Sequence, residues 1–224
     1  MARFDRLTVL NTVLQDGMVP LFYEGNLERA QAVAGALARG GSRVLEFTNR
    51  GDFAIDVFSA LVKCAAKEYP QLVMGVGSVD DAPTAALFLA HGANFVVGPT
   101  FVEDIARLCN RRKVAYMPGC GSLNDIAAAE ELGVEIVKLF PGGAVGGPGF
   151  VKDILGPRPW SRMMPTGGVT PEEDNLRSWF DAGVACVGMG SRLLRSDLIK
   201  AGNFDAIAEQ TAATLELIQR IRGH

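Results

Sequence analysis

The chain has 224 residues, of which 48% are hydrophobic and 21% charged, an ordinary composition for a globular protein with enough apolar material for a core. Its 22 Lys and Arg against 25 Asp and Glu give a formal net charge of -3, which argues against a nucleic-acid-binding surface. The longest uncharged stretch, 82–102, contains Pro83, Gly92 and Pro99, and these breakers argue against a membrane-spanning helix.

Short apolar runs alternate with helical segments along most of the chain, which is the pattern of repeated βα units. An N-terminal helix is expected over 3–16. Eight strands are predicted, at 18–23, 43–48, 71–77, 94–98, 113–118, 134–140, 162–166 and 184–189. Helices are predicted after them, at 27–39, 53–68, 81–91, 102–111, 122–132, 149–155, 172–182 and 204–222.

Small and polar residues mark several boundaries between these elements. Ser122 and Thr170 have the side chains typical of helix N-caps, and Pro171 suits the first helical position after Thr170. Glycines that follow helical segments are expected in left-handed positions that end a helix; they are Gly40, Gly41, Gly92, Gly133 and Gly183.

The repeat pattern predicts an α/β fold, a single-domain (β/α)8 TIM barrel over 1–224 with an N-terminal helix, because no linker or low-complexity segment divides the chain. Periodicity alone does not show that the sheet closes, so a doubly wound open sheet is the structural alternative. In a barrel, strand residues of one parity point inward, and active sites gather at the C-terminal strand ends.

Lys138 is the most unusual residue of the chain, because it lies inside an apolar run that reads as a buried strand. A lysine is almost never buried without a partner, since removing an ammonium from water is costly and favours loss of its proton. A neutral buried amine is a nucleophile towards carbonyl groups. From this run alone, a lysine at a strand end whose charge reaches solvent is an equally good interpretation.

Other polar residues also lie late in their predicted strands, at the end where a barrel carries its chemistry. Glu46 and Thr48 share one parity in the second strand, Phe140 shares the parity of Lys138, and Thr166 ends the seventh strand. Glu46 is the natural partner of Lys138, because a carboxylate near a buried amine can accept and return protons. The alternative for Glu46 is a structural ion pair.

Loops after the strands add groups that bind anions. Arg50, just beyond the second strand, can hold a carboxylate through two hydrogen bonds, although a solvated loop arginine is as good an interpretation. Gly167 and Gly168 follow the seventh strand, and Gly190 and Ser191 follow the eighth. In barrels these two loops commonly hold phosphate through backbone N–H groups.

Cysteine and histidine supply little further chemistry. The four cysteines are widely spaced and form no CxxC pair, which predicts a reducing, cytoplasmic location and argues against a disulfide framework. The first residues lack the apolar core of a signal peptide, which agrees with that location. The only histidines are His91 and His224, too few for a multi-histidine metal site within one chain.

The ordered motifs together resemble the 2-keto-3-deoxy-6-phosphogluconate (KDPG) / 4-hydroxy-2-oxoglutarate (KHG) aldolases, from about Val19 to the final helix. Each motif alone is weak, but their combination and order are specific. They are Glu46-Phe47-Thr48-Asn49-Arg50, Gly75-Val76-Gly77-Ser78-Val79, Pro118-Gly119, Lys138-Leu139-Phe140-Pro141, Pro165-Thr166-Gly167-Gly168-Val169 and Gly190-Ser191.

The resemblance implies a homotrimeric class I aldolase that cleaves a 2-keto-4-hydroxy acid to pyruvate and an aldehyde. By motif position, Lys138 would form an imine with the keto acid, and Glu46 would be the general acid and base. Arg50 and Ser78 would hold the pyruvate carboxylate, and Thr166 would lie near the substrate hydroxyl. The imine is the electron sink, so the resemblance implies no metal or other cofactor. The whole implied substrate-binding set is Arg50, Thr48, Ser78, Phe140, Thr166, Gly167, Gly168, Gly190 and Ser191.

The chain departs from the family pattern in places. Ser78 stands where threonine is common, and the loop 141–149 is unusually rich in glycine. Met189 and Arg192 flank Gly190-Ser191 where smaller or apolar residues are usual. Two other functions therefore stay open at this point, a noncatalytic sugar-acid or phosphate-binding barrel and a phosphosugar isomerase or synthase, because one fold supports several activities.

Overall fold

Strands and helices alternate along the described part of the chain. The structure, a computed structural model, describes residues 2–223; Met1 and His224, the ends of the predicted domain, lie outside the described residues. The strands are β1 (Met18–Phe22), β2 (Val44–Thr48), β3 (Val73–Gly77), β4 (Phe95–Val97), β5 (Ala115–Met117), β6 (Gly119–Cys120), β7 (Val137–Leu139), β8 (Met163–Pro165) and β9 (Val187–Met189). The helices are α1 (Arg6–Asp16), α2 (Leu27–Arg39), α3 (Ala54–Glu68), α4 (Ala82–Ala90), α5 (Glu103–Arg112), α6 (Leu123–Glu131), α7 (Gly147–Leu155), α8 (Glu173–Phe180), α9 (Ser196–Ala201) and α10 (Phe204–Arg222).

The parallel strands close into a barrel. Six of them are hydrogen-bonded in the order β5-β4-β3-β2-β1-β9, and the other three in the order β6-β7-β8. β5 lies within the predicted fifth strand, 113–118, and β6 continues it beyond the predicted end; the break falls at Pro118, which has no N–H to donate to a ladder. A parallel bridge between Thr166 and Gly188 joins β8 to β9 and completes the ring. The barrel prediction is confirmed, and the open-sheet alternative is wrong.

Helix α1 closes the N-terminal end of the barrel. Its Val9, Leu10 and Val13 belong to one buried apolar cluster with inward-facing strand residues. Among these are Val44 of β2 and Ile136, which precedes β7. Because the lower interior is filled with apolar side chains, polar inward-facing residues are left for the upper, C-terminal end.

The outward faces of the strands pack under the helices in a second, larger cluster. Phe47 of β2, Phe58 of α3 and Phe88 of α4 form a chain of aromatic contacts, with ring centroids 6.0 Å and 5.2 Å apart. Phe47 points outward, so its neighbours Glu46 and Thr48 must point into the barrel, since side chains alternate along a strand. The outer core thus determines which side chains reach the barrel interior.

Some predicted boundaries need correction. Ser122 is the N-cap of α6 as predicted, but Thr170 is not the N-cap of α8, which begins after Glu172. Asn175 accepts a hydrogen bond from the Thr170 N–H and donates one to Gly168 O, and this keeps the residues before the helix in a loop.

The glycine predictions hold in part. The left-handed φ values of Gly92, Gly133 and Gly183 agree with the expectation. At the end of α2 it is Gly41, with φ 90°, that is left-handed, whereas Gly40 has φ −74°. The six-residue helix α9 was not predicted, because a segment so short carries little apolar periodicity.

Candidate active site

Three polar side chains occupy the upper part of the barrel interior. Lys138 in the middle of β7 is 3% exposed, and Glu46 and Thr48 on β2 are 1% and 0% exposed. Lys138 pairs in register with Gly119 on one side and Met164 on the other. Lys138 is therefore a buried residue, which argues against the interpretation of a lysine whose charge extends into solvent.

Glycines on neighbouring strands allow close packing around these side chains. A Cβ atom at Gly77 would lie 2.5 Å from Cδ of Glu46 and closer still to its Oε1. Gly119, beside Lys138, lies against the backbone of Pro99, where a Cβ would collide with the carbonyl group. No real Cβ could occupy these places. Glycine is therefore required at position 77 for Glu46, and at position 119 for the Pro99 backbone, to lie where they do.

Burial shifts both ionisable groups towards their neutral forms. Burial lowers the pKa of Lys138, against the opposing effect of the Glu46 charge. Burial also raises the pKa of Glu46, against the charges of Lys138 and Arg50. Among residues 2–223, no ion pair within 4.0 Å joins Lys138 to a carboxylate. A buried amine without an ion-pair partner has the properties of a nucleophile, and a carboxyl with a raised pKa suits proton transfer near neutral pH.

Arg50 and Ser78 are joined above the strand ends of β2 and β3. Arg50 Nε donates a hydrogen bond of 3.0 Å to Ser78 Oγ. Ser78 has φ 57°, a left-handed conformation that is uncommon outside glycine and that occurs often at functional sites. The bond orients the guanidinium while leaving its two terminal nitrogens available for a carboxylate.

A cavity of about 460 Å³ opens at the C-terminal end of the barrel. Seven of the predicted site residues line it: Arg50, Phe140, Thr166, Gly167, Gly168, Gly190 and Ser191. Lys138 lies below, with its Nζ 4.8 Å from the centroid of the Phe140 ring. Ser78 does not line the cavity directly and joins the site through Arg50.

The cavity wall includes residues that the sequence interpretation missed or did not use. Leu21 and Tyr23 line it from the end of β1, and their shared parity with the inward-facing Val19 was a signal that could have identified them. Ser196 and Ile199 come from the unpredicted helix α9. Arg192, which was noted only as a departure from the family pattern, also lines the cavity.

Four buried polar atoms near the cavity floor have no hydrogen-bond partner in the described protein. They are both carboxylate oxygens of Glu46, Oγ1 of Thr48 and Oγ1 of Thr166. Buried polar atoms are nearly always hydrogen-bonded, so a cluster of four unbonded polar atoms is what we expect of a site that binds a polar ligand. Gly188 gives Thr166 its space, because a Cβ there would lie 3.2 Å from the threonine Cβ and closer to its Oγ1.

The glycine-rich loop is held against the end of β8. Gly142 N–H donates to Thr166 O at 2.8 Å, and Gly143 N–H donates to Gly167 O at 2.9 Å. Gly167 and Gly168 have φ values of 86° and 83°, which a residue with a Cβ rarely adopts. The loop therefore fixes the glycine turn that borders the cavity.

The described residues hold neither a metal-binding cluster nor a membrane-spanning helix. Within residues 2–223 no group of three or more His, Cys, Asp or Glu side chains is placed to hold a metal ion. No helix in that range is both long and apolar enough to cross a membrane. Cys120 packs in the outer core, and burial raises the pKa of its thiol to about 12, so it is protonated at neutral pH.

Comparison with known proteins gives consistent matches over most of the chain. The family described as "Aldolase: KDPG and KHG aldolase" matches residues 9–210. The KHG/KDPG aldolase of Escherichia coli is 32% identical over 211 residues, which cover 93% of this chain and 96% of the relative. The 2-dehydro-3-deoxy-phosphogluconate aldolase of Pseudoalteromonas atlantica is 35% identical over 195 residues, 87% of this chain and 88% of the relative.

Solved structures agree with the sequence matches. The KDPG aldolase of Legionella pneumophila, with pyruvate captured as a covalent carbinolamine intermediate, superposes with a TM-score of 0.82. It is 28% identical, and the match covers 91% of this chain and 97% of that one. Thiamine phosphate pyrophosphorylase of Pyrococcus furiosus, at 15% identity and a TM-score of 0.69 over 93% of this chain and 98% of that one, shows likeness of fold alone.

Proposed function

Because the chain belongs to the KDPG and KHG aldolase family, we propose that Lys138 is its imine-forming nucleophile and Glu46 its general acid and base. The protein is a carbon–carbon lyase that cleaves 2-keto-4-hydroxy acids to pyruvate and an aldehyde. The family uses a Schiff-base lysine and no cofactor. Family membership favours this activity over the noncatalytic barrel and over the isomerase or synthase.

The observation that carries the proposal is the buried amine of Lys138 without an ion-pair partner, in the same interior as the buried carboxyl of Glu46. The neutral amine attacks C2 of the keto acid, the protonated carboxyl of Glu46 gives its proton to the C2 oxygen, and loss of water leaves a protonated imine and the Glu46 carboxylate. Electrons of the C3–C4 bond move to the imine nitrogen and form an enamine. The C4 hydroxyl passes its proton to Glu46, and the aldehyde leaves.

The second half of the reaction regenerates the enzyme. Glu46 returns the proton to C3 of the enamine, which restores the imine, and water then releases pyruvate from Lys138. A carboxyl whose pKa is raised by burial can both accept and return a proton near neutral pH, so a single residue serves both steps. The apolar side chains of the lower barrel close the site from below.

The remaining site residues would hold the substrate along the cavity. Arg50, oriented by Ser78, would bind the keto-acid carboxylate in two hydrogen bonds. Thr166 and Thr48 have buried hydroxyls without protein partners, and we assign them to the C4 hydroxyl and to the proton path of Glu46. Phe140 packs over the lysine amine. The far end of the substrate would meet the backbone and side chains of Gly167, Gly168, Gly190 and Ser191.

We propose KDPG and 4-hydroxy-2-oxoglutarate as the substrates, with glyceraldehyde 3-phosphate and glyoxylate as the respective aldehydes. The similarity to the KHG/KDPG aldolase of Escherichia coli supports both substrates, and the similarity to the 2-dehydro-3-deoxy-phosphogluconate aldolase of Pseudoalteromonas atlantica supports KDPG. The test is pyruvate release, followed through a coupled dehydrogenase, for wild type, Lys138→Met and the control Lys152→Met, whose lysine is exposed on α7. Lys138→Met should lose more than about 1,000-fold in kcat, because the covalent route depends on the amine. Full turnover by Lys138→Met would overturn the assignment.

The same family membership supports a homotrimer, a cytoplasmic location and a single domain over 1–224. The Thr166–Gly188 bridge joins the six-stranded and three-stranded parts of the barrel into one ring, which agrees with one domain. The four cysteines are free thiols, which suits a reducing compartment. Light scattering after gel filtration tests the trimer: a particle mass near that of the 23.9 kDa chain alone would contradict it.

A further inference from the structure

Tyr23, just beyond the end of β1, reaches across to the loop that carries Arg50. Its ring centroid lies 5.8 Å from that of Phe47 on β2, the neighbouring strand. Its hydroxyl lies against Gly51: a Cβ at that glycine would be 2.6 Å from Cζ of the tyrosine and closer still to the hydroxyl oxygen. Because no real Cβ approaches so closely, the tyrosine fills the place where a side chain of residue 51 would lie.

The chain on the Tyr23 side of this contact is held firmly. Glu24 accepts hydrogen bonds of 3.0 Å from Nε and from a terminal nitrogen of Arg29, and one of 2.8 Å from the Asn26 N–H. Asn26 is in turn the N-cap of α2, where its side chain accepts from the Arg29 N–H at 2.9 Å. Tyr23 therefore projects from a backbone that is fixed by β1 before it and by the start of α2 after it.

Local preferences do little to fix the loop on the Arg50 side. Helix α3 begins after Phe53, which gives the helix no side-chain cap hydrogen bond. Phe53 also has φ 59°, a left-handed conformation that is costly for a bulky residue, and its side chain is 79% exposed. A strained residue keeps such a conformation only when its surroundings fix it. The packing of Tyr23 against Gly51, two residues before Phe53, supplies such a restraint.

We propose that Tyr23 is a positioning residue for Arg50: by packing against Gly51, it holds the guanidinium where the carboxylate of the keto acid binds. The inference rests on the proposed function, in which Arg50 binds that carboxylate. Ser78 orients the same guanidinium from the side of β3, through the 3.0 Å hydrogen bond to Nε. Tyr23 and Ser78 thus restrain Arg50 from the two strands that flank β2. A guanidinium that is fixed before binding loses less conformational entropy when the carboxylate arrives.

Tyr23→Leu tests the proposal by removing the part of the side chain that reaches Gly51. The KM for KDPG should rise about tenfold while kcat changes by no more than about 2-fold, because the carboxylate is bound both before and during bond cleavage. Tyr23→Phe keeps the ring on Phe47, so its KM should stay within about 3-fold of wild type. Tyr69→Leu is the matched control: its hydroxyl also packs against a glycine, Gly35 of α2, but it does not line the cavity, so both constants should stay unchanged.

A double-mutant cycle with Arg50→Gln separates positioning from a general structural role. Because Tyr23 acts through Arg50 in this proposal, Tyr23→Leu should raise KM no further once the guanidinium is gone. An equal rise in both backgrounds, or no rise in the wild-type background, would overturn the proposal. A rise in Tyr23→Phe as large as in Tyr23→Leu would also overturn it, since the hydroxyl would then act on the substrate directly.

Gly51→Ala tests the same contact from the loop side, independently of how well Tyr23→Leu folds. The backbone there is not left-handed, so alanine suits it, and the added methyl group must push the tyrosine and the loop apart. KM should again rise more than kcat falls, and an unchanged KM in the folded variant would overturn the proposal.

Borohydride trapping separates this proposal from the proposed function. Tyr23→Leu should trap pyruvate as wild type does once pyruvate is saturating, because the imine-forming amine of Lys138 is unchanged. Failure of wild type to trap pyruvate would instead refute the role of Lys138, whatever the KM values of the Tyr23 variants.

Discussion

Gly77→Ala is a sharp test of the position of Glu46, because it adds one methyl group beside the carboxyl and changes nothing else. Gly77 ends β3, and its φ is not among the positive values, so alanine suits the backbone. The new Cβ would lie 2.5 Å from Cδ of Glu46, whereas ordinary contacts begin at 3.4 Å. Cδ of the carboxyl must therefore retreat by at least about 0.9 Å, the difference of these two distances, and Oε1, which lies closer to the added Cβ, must move further.

A displacement of about 1 Å in a reacting group can cost on the order of 100-fold in rate, so kcat should fall by about that factor. Imine formation should persist, since Lys138 lies on β7, away from the added methyl group. The unfolding free energy should drop by about 1–3 kcal/mol, as for other overpacked interiors. The assay is kcat for pyruvate release, with borohydride trapping and a urea unfolding curve on the same preparation.

Gly149→Ala is the matched control, because a Cβ at that position meets nothing within 4 Å. It should leave kcat unchanged and stabilise α7 slightly, since alanine is the better helix former. A folded Gly77→Ala protein with wild-type kcat would show that the observed position of the Glu46 carboxyl is not needed for turnover, and the reasoning would fail.

Two further substitutions test the polar groups around that carboxyl. Thr48 lies in register opposite Gly77, and its buried hydroxyl has no hydrogen-bond partner in the described protein. Thr48→Val should therefore lower kcat about tenfold, whereas Thr48→Ser should keep the wild-type kcat. Equal kcat values for the two variants would show that the hydroxyl has no role in the mechanism. Glu46 has a pKa raised above 4.5 by burial, so folding favours its protonated form, and the unfolding free energy should fall as pH rises from 4.5 towards neutrality. Urea unfolding at a series of pH values measures this dependence. In Glu46→Gln the unfolding free energy should depend less on pH over that range. An unchanged dependence would mean that Glu46 ionises in the folded protein as easily as in the unfolded chain.

Much of the architecture could be predicted from local pattern. Helix α2 begins and ends where its sequence predicts, and each predicted strand is present, although shorter by one to several residues. The N-cap at Thr170 was wrong because the side chain of Asn175 bonds to the loop from five residues further on, a contact that local preference does not include. Barrel closure could not be read from periodicity, because it depends on the Thr166–Gly188 bridge between distant segments.

The candidate site, too, could be predicted from the sequence only in part. Strand parity and position identified Glu46 and Lys138 as inward-facing groups at the C-terminal end, and both are buried there. Parity could not show that their side chains stay apart, or that Gly77 makes the space for Glu46. The part of the cavity wall formed by α9 could not be predicted either, because it depends on how the chain packs after β9.

The central claim is that Lys138 forms an imine with pyruvate, and reductive trapping tests it most directly. Wild-type protein is incubated with pyruvate and borohydride, digested, and its peptides are weighed by mass spectrometry. The expected result is a single stable addition on Lys138, loss of aldolase activity in proportion to labelling, and no addition to Lys138→Met. Absence of the addition, or labelling of an exposed lysine such as Lys152 in its place, would contradict the account.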